Sequence, residues 1–230
     1  MSEIADHLAA VLARIQEATL LSGRPQGSVR LVAVSKNQAP AALSALASLG
    51  QREFGENRAQ EAVRKMDILA DSRLEWHFLG PLQRNKARLI PGRFHWIHSL
   101  DSLVLAETLS RHAQAQGHSL RALLEINVTK DPRKHGLAVA DVFPFLETYC
   151  ARSWPGLILS GLMTIGPQGG DACTIAHTFA RLRELQGACQ TRFDLPAFNE
   201  LSMGMSDDYP LAIAEGATIV RIGRALFGAR

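Results

Sequence analysis

Residues 31–38 read LVAVSKNQ: a run of apolar, strand-like residues goes straight into Lys36. Desolvating an ammonium is costly, so a lysine that ends a buried run is placed there for its chemistry or held by a partner. The chemistry open to such an amine is attack on an aldehyde or ketone. Towards the other end of the chain, two segments have the makings of an anion cradle. MGMSDD offers Gly204 and the Ser206 hydroxyl, and RIGRALFGAR offers Gly223 and Arg224 where a last helix can begin. Free backbone N–H groups at such a place favour a phosphate. Ser206 also has a plain alternative, as the cap of a helix over residues 207–215, whose first turn Asp207 and Asp208 would suit. Arg221 sits inside the apolar run IVRI, and a buried guanidinium needs an acceptor. Glu56 or Glu200 would serve structurally, and a ring nitrogen of a bound heterocycle would serve chemically.

Which elements could bring these residues together? Eight short apolar runs, at 29–35, 52–55, 75–79, 95–98, 121–128, 157–163, 200–203 and 218–222, read as strands. Between them lie segments such as QAPAALSALASLG, NRAQEAVRKMDILA, LQRNKARLI, DSLVLAETLSRHAQAQG and CTIAHTFARLRELQGACQ, with apolar residues at three- and four-residue spacing. Asp101 and Asp171 look like helix starts, Gly50 and Gly117 like helix ends. Strands alternating with helices imply a parallel sheet, and eight such units predict an α/β fold of the (β/α)8 TIM-barrel type. The reading is a single domain, with residues 1–28 an extra N-terminal helix and 29–230 the barrel. An open doubly wound sheet is the alternative. In a barrel the chemistry is built at the C-terminal strand ends, which is where Lys36 falls. Closure also sets strand eight beside strand one, and Arg221 near Lys36.

Bulk properties exclude several classes. With 230 residues, 47% of them hydrophobic and 20% charged, the chain can bury a core and is not disordered. Its net charge of +3 is spread out, giving no nucleic-acid footprint. No apolar stretch approaches the ~18 residues of a membrane span, and the N-terminus lacks the pattern of a signal peptide. Cys150, Cys173 and Cys189 have no CxxC spacing, which suits scattered thiols in a reducing cytoplasm and not a metal site. His95 and His98 read as packed or solvent-facing residues, and Trp76, Trp96 and Trp154 as core or rim.

A lysine at a barrel mouth, an anion cradle and an arginine near both match the needs of pyridoxal 5′-phosphate (PLP): an amine for its aldehyde, a site for its phosphate and a partner for its pyridine nitrogen. Schiff-base aldolases and barrel enzymes of phosphorylated sugars need overlapping sets, so spacing alone leaves them open.

The ordered motifs AVSKNQ, FGENRAQE, WHFLGPLQRNK, GLMTIG, LSMGMSDD and VRIGRALFGAR together resemble the pyridoxal phosphate homeostasis protein family, over residues 29–230. That family shares its fold with the N-terminal barrel of bacterial alanine racemase and with eukaryotic ornithine decarboxylases. The resemblance implies that Lys36 carries the aldehyde of PLP, that Arg221 hydrogen-bonds the pyridine nitrogen, and that Ser206, Gly223 and residue 224 contact the phosphate. It places Asn57 and His77 at the barrel mouth and Met203 near the ring. Arg224 stands where the family usually has threonine, and INVTKDPRKHG departs from the family's usual pattern, leaving Lys134 without an assigned role. Arginine only donates, so it cannot help to protonate the pyridine nitrogen, and the ring stays a weak electron sink. Alanine racemase adds a tyrosine base from an extra β-domain of a partner subunit; this sequence runs out at Arg230, and Tyr149 and Tyr209 are not at strand ends. The implied function is that of a cytoplasmic, monomeric PLP-binding protein that buffers the cofactor and passes it to apo-enzymes, without turnover, nucleic acid or membrane. An amino-acid racemase or decarboxylase is the alternative.

Overall fold

Eight parallel strands close into a barrel in sequence order, β1 to β8, with β1 completing the ring against β8. The computed structural model describes residues 3–228. The strands are β1 (Arg30–Val34), β2 (Glu53–Glu56), β3 (Glu75–Phe78), β4 (Trp96–Leu100), β5 (Leu120–Glu125), β6 (Leu157–Met163), β7 (Glu200–Ser202) and β8 (Ile219–Ile222). Helices α1 (Glu3–Leu21), α2 (Pro40–Ser48), α3 (Ala59–Leu69), α4 (Leu103–Gln116), α5 (Val142–Cys150), α6 (Ala172–Arg192), α7 (Tyr209–Ala214) and α8 (Arg224–Phe227) complete the alternation. The closed ring rules out the open sheet.

Strand alternation splits the apolar residues between two layers. Those facing out, among them Ala33, Phe54, Phe78, Ile97 and Leu124, pack with helix residues such as Leu43, Leu46, Leu109, Phe179 and Leu182. Those facing in form a small inner cluster of Val32, Trp96, Leu123, Met163 and Ile219. Buried polar side chains share the interior with them, among them His77, His98, Ser202 and Arg221. Helix α1 buries Leu8, Val11, Ile15 and Thr19, one face at three- and four-residue steps, and packs on α7 and α8.

Some element ends differ from the sequence pattern. Segment 121–128 is strand only to Glu125; beyond the isolated Ile126–Leu137 bridge the chain turns, and Asn127 Nδ2 closes the turn by donating to Asp131 O at 2.8 Å. LQRNKARLI forms a 3-10 turn, Arg84–Leu89, not an α-helix. Ser102, not Asp101, caps α4, its Oγ accepting from Leu105 N, whereas Asp171 caps α6 as expected by accepting from Thr174 N at 2.7 Å. Gly117 ends α4 at φ 66°, and Gly50 lies one residue past the C-cap of α2. Strand β4 starts at Trp96, so His95 precedes it, exposed, with Nδ1 accepting from Trp76 N, while His98 is fully buried within it. Trp76 and Trp96 are core residues, and Trp154 is partly buried.

Candidate functional site

Lys36 lies two residues past the end of β1, partly buried, in a turn closed by Gln38 N donating to Ser35 O. The next residue, Asn37, takes a left-handed φ of 60°, which asparagine tolerates better than most side chains. Pairing of Val32 with Arg221 sets β8 beside this strand, as closure requires. At Gly223 a Cβ would sit 3.2 Å from Val34 O, so glycine lets the turn after β8 come against the end of β1.

Arg221 is 5% exposed and meets neither Glu56 nor Glu200. Those carboxylates are taken: Glu56 by Ser35 and Lys65, Glu200 by Arg30 and Thr218. Arg221 donates instead to Ser202 Oγ at 2.6 Å and to Thr164 O at 2.9 Å. Burial lowers its pKa to about 10, opposed by Asp208 and Glu125, so it remains a cation at neutral pH. A guanidinium cannot accept, so Ser202 Oγ accepts from Arg221. The direction of the rest is set at the far end, where His77 Nε2 lies 3.2 Å from Glu53 Oε2 and a carboxylate only accepts. With the hydrogen of a neutral His77 on Nε2, its Nδ1 accepts from His98 Nε2 at 2.9 Å. Nδ1 of a neutral His98 then accepts from the Ser202 hydroxyl, 2.9 Å away. Burial pushes both imidazoles below their ordinary pKa, His98 strongly, so the chain is made of neutral rings. The sequence reading took His98 only as packed or solvent-facing and gave no role to Ser202 or to the Thr164 carbonyl, because single residues in or beside short strands carry no signal of meeting inside the barrel.

His77, expected at the barrel mouth, is fully buried inside the barrel and stacked on Trp96 with ring centroids 5.7 Å apart. Its inward position on β3 and its bond to His98 hold it there. Met203, expected near the ring, follows directly after β7. Inward-facing Ser202 turns Met203 outwards into the layer beneath the helices, where it is fully buried. Asn57 follows β2 at the mouth, partly buried, its carbonyl so close to Gly80 that a Cβ there would lie 2.4 Å away. A cavity of about 660 Å³ opens beside Asn57, lined also by Arg58, Arg64, Lys86 and His135; no other predicted site residue lines it.

The turns after β7 and β8 meet, as the cradle reading requires. Ser206 is not a helix cap, since α7 begins at Tyr209. Its Oγ accepts from Ala225 N at 3.3 Å, which leaves the hydroxyl hydrogen to donate elsewhere. Asp208 holds this turn by accepting from Met205 N. Gly204, at φ +94°, lets the chain pass over α7, where a Cβ would come 2.6 Å from Ala212 Cβ. Arg224 is exposed, its guanidinium paired with Asp207. Lys134 gains a role: Nζ donates to Ile165 O and Gly166 O, tying the loop after β5 to the loop after β6.

Glu125 ends β5, 7% exposed, and burial raises its pKa to about 7; Arg221 opposes the shift and Asp101 adds to it. A carboxyl whose folded pKa is raised favours the fold below its unfolded value near 4.5, and that contribution is lost as pH rises through about 7. Glu125→Gln should therefore stabilise the ligand-free protein at pH 8 by about 2–3 kcal/mol and change little at pH 4.5. Urea unfolding at the two pH values measures this, and equal effects at both would contradict the buried placement.

The donor set fits PLP: an amine at the end of β1, a free hydroxyl hydrogen and close-packed glycine on the turns after β7 and β8, and a buried donor-only cation beside them. Comparison with known proteins agrees. The family described as alanine racemase, N-terminal domain, matches residues 7–230. A pyridoxal phosphate homeostasis protein of Pseudomonas aeruginosa is 45% identical over 230 residues, covering 100% of this chain and 97% of its own. One from Escherichia coli is 37% identical, covering 100% and 98%. PipY of Synechococcus elongatus, solved with PLP bound, superposes with a TM-score of 0.84 at 42% identity over 98% of this chain and 100% of its own. An alanine racemase of Corynebacterium glutamicum shares the fold, with a TM-score of 0.68 at 16% identity, over 98% of this chain and 61% of its own. Identity of this extent along the whole barrel means that the chain belongs to the pyridoxal phosphate homeostasis proteins, built on the alanine racemase N-terminal-domain fold.

Proposed function

We propose that this protein binds PLP reversibly through Lys36 and keeps it available in the cell, without using it to transform amino acids. PLP brings an electrophilic aldehyde, an anionic phosphate and a pyridine ring to the site. Lys36 supplies the amine. The Ser206 hydroxyl and the N–H groups of Gly223 and Arg224 hold the phosphate. Arg221 donates to the pyridine nitrogen and keeps a proton off it. Asn57 stands at the mouth, and His77 acts at a distance, through His98 and Ser202, by fixing how Arg221 points. Met203 backs the β7 turn from the helix side. The domain is the whole chain, 1–230.

The observation that carries this reading is Arg221, a cation held by two acceptors that cannot hand a proton to the ring. Neither tyrosine among the described residues is placed as a base. Tyr149 packs on Trp154 in the helical layer, with burial raising its phenol to about 12, and Tyr209 is 4% exposed in α7. Relatives named for PLP homeostasis, and not for a reaction, support the same reading.

Two finer points belong to the proposal. Cys150, Cys173 and Cys189 are all free, which suits the reducing cytoplasm. The large apolar side chains that reach solvent lie on several separate elements, including α1, α3, α4 and β6, which suits a monomer that hands PLP to apo-enzymes. No helix among the described residues is long and apolar enough to cross a membrane.

The test is proton exchange. With PLP and L- or D-alanine in deuterated water, α-carbon exchange should not exceed that of free PLP. A second reading rests on Glu125, whose pKa near 7 is suited to moving a proton at neutral pH. Exchange well above the free cofactor that disappears in Glu125→Gln would replace the homeostasis reading with an enzymatic one.

A further inference from the structure

We propose that Lys65 is a positioning residue for Lys36, holding the chain on both sides of it through a buried hydrogen-bond clamp; the inference rests on the PLP reading above. Lys65 is on α3, 5% exposed, on the face that also buries Ala59 and Ala62. A lysine on that face must have its hydrogens satisfied, and this one does. Its Nζ donates to Ser35 O at 2.8 Å, Glu56 Oε1 at 2.7 Å and Glu61 Oε1 at 2.8 Å, which uses all three of its donors.

These acceptors bracket Lys36. Ser35 is the residue before it, and its hydroxyl also donates to Glu56 Oε1 at 2.7 Å. Asn37 is the residue after it, and its backbone N–H donates to Glu61 Oε1 at 3.0 Å. One ammonium therefore grips the preceding carbonyl directly and the following amide through Glu61. The left-handed φ of Asn37 is the kind of local conformation that persists only when its surroundings hold it. Burial raises the pKa of Glu56, opposed by its bonds to Lys65 and Ser35, while Lys65 lowers that of Glu61.

The consequence is geometric. Strand β1 ends at Val34, so Lys36 is beyond the ladder and has no strand register to aim it. An amine must meet an aldehyde carbon along a narrow approach, and a displacement of about 1 Å can slow such a step by up to ~100-fold. The clamp ties the Lys36 turn to α3 and so to the outer core, with Lys65 acting through Ser35 and Asn37 and never touching the cofactor. It also explains how a second lysine so close to Lys36 stays out of the chemistry.

Two variants test it. Glu61→Ala removes the Asn37 anchor from a side chain 28% exposed, which the fold should tolerate. Lys65→Arg keeps the charge, but a planar fork cannot place three donors on three converging acceptors. Three readouts are taken: amide exchange at Asn37 in the ligand-free protein, the rate at which borohydride traps added PLP on Lys36, and the thermal midpoint. Expected for Glu61→Ala is a midpoint close to wild type, at least fivefold faster exchange at Asn37 and about tenfold slower trapping. Lys65→Arg should likewise trap slowly although its charge is kept. Trapping at the wild-type rate in both variants overturns the proposal, as does slow trapping that only follows the fraction unfolded. If wild type itself traps no PLP on Lys36, the PLP reading falls instead; in that case unchanged exchange at Asn37 in Glu61→Ala would show that the clamp is also wrong.

Discussion

Purified protein mixed with PLP should turn yellow, and borohydride should fix the cofactor on the peptide that contains Lys36. Lys36→Ala should lose the visible band entirely and bind PLP about tenfold or more weakly, through the phosphate alone. Lys36 sits past β1, at the mouth, beside the turn after β8 that Gly223 lets come close. Other lysines are poorer candidates for physical reasons. Lys65 spends its three donors on Ser35, Glu56 and Glu61. Lys134 is bonded to two carbonyls of the β6 loop. Lys86 lines the cavity beside Asn57, to which the turns after β7 and β8 contribute no residue. Peptide mapping that finds the adduct mainly on Lys65, Lys86 or Lys134 would show the site to be misassigned.

Pyridoxal, lacking the phosphate, should bind at least ~30-fold more weakly than PLP, a difference of about 2 kcal/mol. The phosphate would accept several charge-assisted hydrogen bonds at about 1.5–3 kcal/mol each from groups that are already in place. The Ser206 hydroxyl is one of them, already oriented because its oxygen accepts from Ala225 N. Ser206→Ala should lose roughly five- to tenfold in affinity. Arg224, by contrast, is exposed and paired with Asp207, so only its backbone is at the turn. Arg224→Thr should therefore stay within about twofold of wild type, since an exposed ion pair contributes little. Titration by absorbance or calorimetry reads both variants. Equal affinity for pyridoxal and PLP would rule out an anchor on the turns after β7 and β8.

Much of the site was legible before the structure. A lysine ending an apolar run, two glycine-containing turns late in the chain and an arginine inside the last strand are local signals; the first two landed at the strand ends of a closed barrel and the arginine buried within β8. Ser206 shows where local reading fails. Asp207 and Asp208 made a cap plausible, but the helix begins later, at Tyr209, and the hydroxyl turns to the N–H of Ala225 instead. Lys65 left a usable sign, a charge on the buried face of an amphipathic helix, but the sequence held no clue to what it met.

The strand count and the order of elements follow from the sequence alone, because periodicity and chain order are properties of neighbouring residues, and the motif around Lys36 is enough to propose it as the reactive amine. Which groups share the barrel interior was decided by closure. It brings together groups 104 residues apart in the His98–Ser202 bond and 57 apart in the bond from Arg221 to the Thr164 carbonyl, and so denied Arg221 the carboxylates that sequence reading offered it. It also put His77 inside and Met203 outside, for a strand turns successive side chains to opposite faces and one residue of register reverses them. No pattern along the chain carries that choice; it is made only when eight strands settle into one ring and every buried donor has to find its acceptor.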